Sequence, residues 1–354
     1  MGPDSGACAK YPFNPLFSAF IRARRRFPIM AVLTVENLQT HFFTRAGVVK
    51  AVDDVSFSVD AGRVLGLVGE SGSGKTMTGF SIMGLVDPPG RIVAGRVLLE
   101  GENLIDRTDD AMRRLRGDRI AMIFQDPMMT LNPVLRIDTQ MIETVLAHQA
   151  VSREQARELS RNALGRVGIS SPDERLTAYP HQFSGGMRQR VAIAIALLNN
   201  PRVIIADEPT TALDVTIQAQ IIFEVQKLAR ETGTALVWIT HDLSVIAGLA
   251  DEVCVMYAGR IVESGPTADL LDHPMHPYTA GLIASIPSRN RRGQPLSQIP
   301  GMTPSLLRLK PGCAFRDRCT HADQACGAAP AITRPAAART LRCFHPMAAA
   351  AETR

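Results

Sequence analysis

The residues best placed to do chemistry begin at Gly69-Glu-Ser-Gly-Ser-Gly-Lys-Thr76, which fits the pattern G-x-x-x-x-G-K-[ST]. Glycines let backbone N–H groups turn inward towards phosphate oxygens, and a helix starting there adds the positive end of its dipole. In such a loop Lys75 reaches the β- and γ-phosphates and the Thr76 hydroxyl ligates Mg2+. Gly69, Ser71, Gly72, Ser73 and Gly74 complete the cradle. The run Val203-Ile-Ile-Ala-Asp-Glu208 ends in two carboxylates. Asp207 suits the Mg2+ shell, and Glu208 suits a base that orients or deprotonates an attacking water. Gln125, in Phe124-Gln-Asp126, carries an amide that can touch Mg2+ or water, and His241 can hydrogen-bond the γ-phosphate. Paired carboxylates or a lone histidine at a strand end are ordinary by themselves; their company gives them weight.

A second glycine pair lies in Phe183-Ser-Gly-Gly-Met187, just before an apolar helical run from Val191. Ser184, Gly185 and Gly186 would make another anion-binding helix start. One nucleotide does not need two such sites from one chain. The geometry that uses both is a head-to-tail dimer, in which this segment closes on the partner's ATP.

Four of the six cysteines, Cys313, Cys319, Cys326 and Cys343, lie near the end, with 5, 6 and 16 residues between them. Structural zinc sites usually carry close C-x2-4-C pairs, and the common ferredoxin spacings do not fit either. Spacing alone leaves the metal type open, with plain buried thiols as the alternative. Cys8 and Cys254 read as unrelated, Cys254 as core within Val-Cys-Val-Met-Tyr257.

These groups need a scaffold. The chain has 354 residues, 45% of them apolar, which permits a core and excludes a disordered chain. A net charge of +5 is compatible with an anionic partner or with a plain solvated surface. The longest apolar run, Val191–Leu198, is too short to cross a membrane, and the first thirty residues lack a secretory h-region. A reducing, cytosolic setting follows as the expectation, which disfavours disulfides. Arg22–Arg26 forms a basic cluster before Met30. Residues 1–30 read first as an extension outside the translated protein, and second as a basic tether. Regular alternation begins only after Met30.

Strands are expected at Arg63–Gly69, Ile120–Phe124, Val203–Ala206 and Ala235–Ile239, and helices at Lys75–Val86 and Val215–Arg230. That alternation predicts an α/β core with a parallel sheet. Helical patterns at Ile137–Ala150 and Arg153–Val167 predict a helical insertion over about 126–182. Regularity fades after Pro287, which places a boundary there and a cysteine-bearing segment at 288–354.

Gly69–Thr76, Gln125, Ser184–Met187, Asp207–Glu208, Ala212-Leu-Asp214 and His241 occur in the order of an ATP-binding-cassette ATPase, and the chain resembles that family over about Val32–Pro287. Ile123–Pro133, Ala206–Ile221 and His273–Pro287 sharpen the likeness to the ATPase subunits of dipeptide and oligopeptide importers. The resemblance implies a RecA-like P-loop NTPase core, a helical subdomain, an N-terminal antiparallel β subdomain and a small irregular Cys-rich C-terminal domain. It implies ATP hydrolysis coupled to peptide import, or to import of nickel or glutathione by the same architecture. It implies an aromatic against adenine, for which Phe42 is the candidate and Phe43 the fallback. It also implies a [4Fe–4S] cluster on Cys313, Cys319, Cys326 and Cys343, with zinc second. The implied partners are a second, homologous ATPase, two permease subunits and an external peptide-binding protein, with this chain peripheral on the cytoplasmic face of the membrane. A nucleic-acid-associated cassette would need a long coiled-coil insertion, and no sustained heptad run occurs. Two features depart from the pattern: Met187 stands where glutamine is commonest, and Phe344 separates Cys343 from His345.

Overall fold

A computed structural model describes residues 31–210, 214–287, 290, 293 and 297–347. The N-terminal extension and the Ala212-Leu213 part of the motif before Asp214 lie outside the described residues. The strands are β1 (Leu33–Thr44), β2 (Gly47–Val59), β3 (Val64–Val68), β4 (Gly90–Leu99), β5 (Glu102–Asn103) and β6 (Ile120–Ile123), followed by β7 (Val203–Asp207), β8 (Ala235–Thr240), β9 (Glu252–Tyr257), β10 (Arg260–Pro266), β11 (Thr333–Ala336) and β12 (Arg339–Leu341). One sheet has the order β2-β1-β4-β5 and is antiparallel. The other has the order β11-β12-β10-β9-β3-β8-β7-β6. Its centre, from β9 through β3, β8 and β7 to β6, is parallel, as the strand–helix alternation predicts.

The central strands are buried at every position because both sheet faces are covered. Side chains alternate between two cores. Leu67, Ile205 and Ile239 pack with Ile82 of the first helix and Val52 and Leu38 of the antiparallel sheet. Val68, Ile204, Ala206 and Trp238 face the other way, against Val191 and Leu243. The sheet is thus clamped between the antiparallel sheet with helices Lys75–Met83 and Asp109–Leu115 on one side and the helices that carry Val191, Ile221 and Leu243 on the other.

Helix ends fall where local chemistry dictates. Helix Lys75–Met83 stops short of Val86 because Gly84 turns left-handed, with φ 64°. Helix Ile137–Leu146 stops before Ala150, and Ser152 opens the next helix, Arg153–Arg166, with a capping box. There the Ser152 hydroxyl accepts from the Gln155 N–H at 3.2 Å, and the Gln155 side chain accepts from the Ser152 N–H at 2.9 Å.

The segment after Pro287, expected as a small irregular cysteine-bearing domain, packs onto the main core. β12 pairs antiparallel with β10, Glu263 opposite Leu341, and so continues the central sheet. Phe315 is buried in the main core, its ring 5.2 Å from that of Tyr257 and 5.4 Å from that of Tyr278. Pro287 therefore marks a change in sequence character without a change of core: a short irregular segment gains burial by lying on an existing sheet.

Glu263 locks this junction. Its fully buried carboxylate accepts from the backbone N–H groups of Met275 at 2.8 Å and His276 at 2.9 Å, and pairs with the buried Arg339 guanidinium. Glu263→Ala strands that guanidinium away from water and is expected to destabilise the protein by about 3–5 kcal/mol. Equilibrium urea unfolding of the purified chain measures this.

Candidate active site

β3 delivers the chain into Gly69–Thr76 at its C-terminal end, and helix Lys75–Met83 carries it away. Two glycines are obligatory there. A Cβ on Gly69 would meet the Met256 carbonyl oxygen at 2.2 Å, and one on Gly74, at φ +102°, would meet that of Ala51 at 2.2 Å. The loop curls around the Lys75 side chain, which is 5% exposed. Its Nζ donates to the carbonyls of Gly69 at 2.8 Å and Glu70 at 3.0 Å. Burial lowers the Lys75 pKa, while Glu208, Asp207 and Glu70 pull it back up.

β7 ends beside this helix. The Thr76 hydroxyl donates to Asp207 Oδ1 at 3.1 Å, so the two expected Mg2+ ligands are already in contact. Burial pushes the Asp207 carboxyl up to about 6; the Thr76 hydrogen bond opposes this and the Glu208 charge adds to it. Glu208 adopts the left-handed φ of 43°, uncommon for a residue with a side chain. Its Oε2 lies 3.1 Å from His241 Nδ1.

A cavity of about 820 Å³ opens over these groups. Ser71, Gly72, Gly74, Lys75 and Thr76 form its floor, and Gln125, Glu208 and His241 also line it. Gly69 and Ser73 sit behind the floor, buried. Ala51, Met77, Leu282 and Leu306 provide apolar wall. Neither phenylalanine proposed for adenine is in that wall. The Phe42 ring packs where a Cβ on Gly90 would fall, and Phe43 is 39% exposed with Arg91 stacked 4.2 Å from its ring centre. The resemblance implied an aromatic ahead of the glycine loop against adenine; in the structure Phe42 packs towards Gly90 and Phe43 towards Arg91.

Ser184, Gly185 and Gly186 open helix Gly185–Leu197, where the Ser184 hydroxyl caps Met187 N–H at 3.3 Å. Ser184 and Gly185 are exposed, and none of the three lines the cavity. Asp214 caps helix Val215–Thr232 by accepting from Ile217 N–H at 3.0 Å.

A family model described as ABC transporter matches residues 52–211, and another, described as Oligopeptide/dipeptide transporter, C-terminal region, matches residues 262–326. The oligopeptide transport ATP-binding protein OppD of Escherichia coli (strain K12) is 46% identical over 317 residues, spanning 90% of this chain and 94% of that protein. The chain belongs to the ABC transporter ATP-binding proteins. The dipeptide transport ATP-binding protein DppD of Bacillus subtilis (strain 168) is 46% identical over 315 residues, 88% of this chain and 94% of that protein. Among solved structures, the dimeric bacterial ABC transporter cassette MJ0796 superposes with a TM-score of 0.60 at 28% identity, covering 66% of this chain and 98% of its own. The same cassette in a post-hydrolysis state bound to ADP and Pi also gives 0.60, at 27% identity. As an ABC ATPase, this chain binds and hydrolyses ATP.

Away from the cavity floor, the four C-terminal cysteines come together. Burial raises the pKa of Cys343 to about 11, and the thiols of Cys313, Cys319 and Cys326 add repulsion. Burial also raises that of Cys313, again with Cys326 and Cys319 adding to it. The backbone of Cys313 donates to the carbonyl of Cys326 at 3.0 Å. Four sulfurs on one zinc, each at about 2.3 Å, would stand about 3.8 Å apart. Among the described residues, no three of these sulfurs lie within 4.8 Å of one another; Asp323, Cys326 and His345 are the set whose ligand atoms do. Cys254 is apart from this group, fully buried in β9, its pKa raised to about 12 by burial.

Sequence reasoning missed Leu282, Leu306, Tyr278 and Arg318 around the nucleotide site. They lie more than 200 positions downstream of the glycine loop, and although Tyr278 and Leu282 fall in the His273–Pro287 stretch, nothing in it points to the nucleotide site.

Asp207 illustrates a cost of the site. Its carboxyl ionises at 3.8 ordinarily and at about 6 in the folded chain, so its ionisation weakens the nucleotide-free protein progressively across that interval. Asp207→Asn removes this penalty. The variant should match its parent near pH 4 and gain stability as pH rises, levelling above pH 6 at about 2–3 kcal/mol. Urea unfolding across that pH range, without nucleotide, is the check.

Proposed function

We propose that this chain is the ATP-hydrolysing subunit that powers import of dipeptides and oligopeptides across the cytoplasmic membrane. One observation carries the reading: the same chain gathers Lys75, Thr76, Gln125, Glu208 and His241 around one cavity, with Asp207 hydrogen-bonded to Thr76 beside it, and has a C-terminal region matching the oligopeptide/dipeptide transporter model.

Lys75 neutralises charge on the β- and γ-phosphates, while Thr76, Asp207 and Gln125 hold Mg2+. Glu208 orients and deprotonates the water that attacks the γ-phosphorus, as the bond to the β–γ bridging oxygen breaks. His241, paired to Glu208, holds that carboxylate in place and can reach the γ-phosphate. The Ser184–Gly186 segment, exposed at Ser184 and Gly185, closes over the nucleotide of a second, homologous ATPase subunit, whose own segment closes here. The helices from Ile137 to Leu176 pass closure to two permease subunits, which receive peptide from an external binding protein. Among the described residues no helix is long and apolar enough to cross a membrane, and we place the chain peripherally on the cytoplasmic face.

Cys313, Cys319, Cys326 and Cys343 would hold a [4Fe–4S] cluster. The mutual repulsion of the four thiols, which places them near one another, supports a shared centre there. Such a cluster supplies a rigid cross-link between segments otherwise joined by weak turns. Holding it would require Cys343 and Cys313 as thiolates, against the burial that raises their pKa.

Glu208→Gln, co-expressed with the permease and ATPase partners, should bind ATP normally and lose about 10²–10⁴-fold in hydrolysis. Labelled dipeptide uptake should fall in parallel, whereas uptake of nickel or glutathione alone by the parent complex would overturn the peptide assignment. For the cysteines, anaerobic purification followed by iron, acid-labile sulfide and zinc assays is decisive. About four irons and four sulfides per chain, lost in Cys319→Ser, are expected. Zinc without sulfide would replace the cluster with a mononuclear site.

A further inference from the structure

Glu70 lies inside the phosphate loop, immediately after Gly69; beyond helping to keep Lys75 charged, its carboxylate takes no part in the chemistry above. A carboxylate there repels the phosphates the loop must hold. The chain answers with a residue 248 positions away. Arg318 donates from Nη1 to Glu70 Oε2 at 2.6 Å and from Nη2 to Oε1 at 3.0 Å. This two-pronged pairing fixes direction as well as charge. The Thr303 hydroxyl donates to the same Oε2 at 3.1 Å. The Glu70 N–H donates to the Tyr278 hydroxyl at 2.8 Å, and the Glu70 carbonyl accepts from Lys75 Nζ. Three groups from the far end of the chain therefore grip one loop residue, and that residue grips the phosphate-binding lysine.

Arg318 itself is immobilised. Its side chain is 5% exposed, its Nε donates to the Pro300 carbonyl at 2.8 Å, and its guanidinium lies 5.8 Å from the Tyr257 ring centre and 5.9 Å from that of Phe315. It closes the single 3-10 turn Arg316–Arg318, bounded by Cys313 and Cys319. Within this turn Arg316 N–H donates to the Cys313 carbonyl and Cys319 N–H to that of Arg316, each at 3.2 Å. The order of the cysteine-bearing turn is thus the order of the guanidinium.

We propose that Arg318 is a positioning residue of the ATPase: by neutralising and orienting Glu70 it sets the phosphate loop, so that the Cys313–Cys319 turn controls nucleotide affinity. Its effect passes through Glu70 and Lys75, without contact with the reacting atoms.

The test uses the full chain co-expressed with its partners and MgATP as the probe, read by displacement of a fluorescent nucleotide and by steady-state hydrolysis. Arg318→Met leaves the Glu70 charge unpaired beside the phosphates; KM and the dissociation constant for MgATP should rise about tenfold while kcat at saturation stays within about twofold. Adding Glu70→Gln to Arg318→Met removes the stranded charge and should recover most of the affinity. Thr303→Val, which removes only one hydrogen bond, should weaken binding about twofold to threefold without loss of folding. A merely structural Arg318 would lower the melting temperature with affinity unchanged in the folded protein. That result, or no rescue by the double variant, overturns the proposal.

The control by the turn rests in addition on the metal-site reading above. Cys319→Ser, with metal content measured on the same sample, should weaken MgATP binding in the parent and add no further loss to Arg318→Met. Independent, additive losses would sink the coupling. Absence of any metal in the parent would fail the cluster reading alone, since the comparison between Arg318→Met and its rescue does not depend on it.

Discussion

The nucleotide site depends on keeping one ammonium charged where water barely reaches. The Lys75 side chain is almost completely enclosed by the loop it serves, and enclosure favours the neutral amine. Two carbonyls and three carboxylates hold the balance. Each has its own structural requirement. The carbonyls of Gly69 and Glu70 point inward only because glycines permit the turn. Asp207 and Glu208 arrive only because β7 lies one strand beyond β8 from β3. Parallel pairing puts the ends of β3 and β7 on the same edge of the sheet, which is where such folds gather ligands. Asp207 pays for its place with a raised pKa, and Glu208 with an uncommon backbone angle.

The catalytic half of this arrangement was legible in the sequence, for a physical reason. Phosphate loops and strand ends are local: a few consecutive residues determine where the backbone amides and the carboxylates point. The central strands likewise betray themselves as unbroken apolar runs because both faces of the sheet are covered. Lys75, Thr76, Asp207, Gln125, Glu208 and His241 therefore converge as their spacing predicts. Contacts set by packing between distant segments were not legible. Phe42 occupies the expected stretch of β1, yet its ring goes to Gly90 across the sheet, a choice made by strand register. The apolar wall of the cavity instead comes from Ala51, Leu282 and Leu306. The grip of Arg318 on Glu70 joins residues with no periodic or compositional link.

The C-terminal segment shows the same division. Its cysteines are visible as a group in sequence, and they do gather in space. Its integration is not visible, because it is achieved by a handful of specific anchors: Phe315 inserted between Tyr257 and Tyr278, Arg339 on Glu263, and Arg318 on Glu70. Such a short, irregular segment is too small to build a stable core of its own. Its anchors lie on elements that also build the nucleotide site, since Tyr278 contacts the Glu70 backbone directly. Burial and function are consequently hard to separate in this part of the chain.

The continuation of the central sheet by β12 and β11 has a bearing on solubility. Without them, β10 would present unpaired backbone donors and acceptors along a buried-type strand, an invitation to pair with another chain. The added hairpin moves that border outward to β11, which is only four residues long, exposed throughout, and carries Arg334 and Pro335. A proline offers no amide to a neighbouring strand, and an arginine side chain resists being sandwiched. The tail thus ends the sheet with a border that discourages further growth.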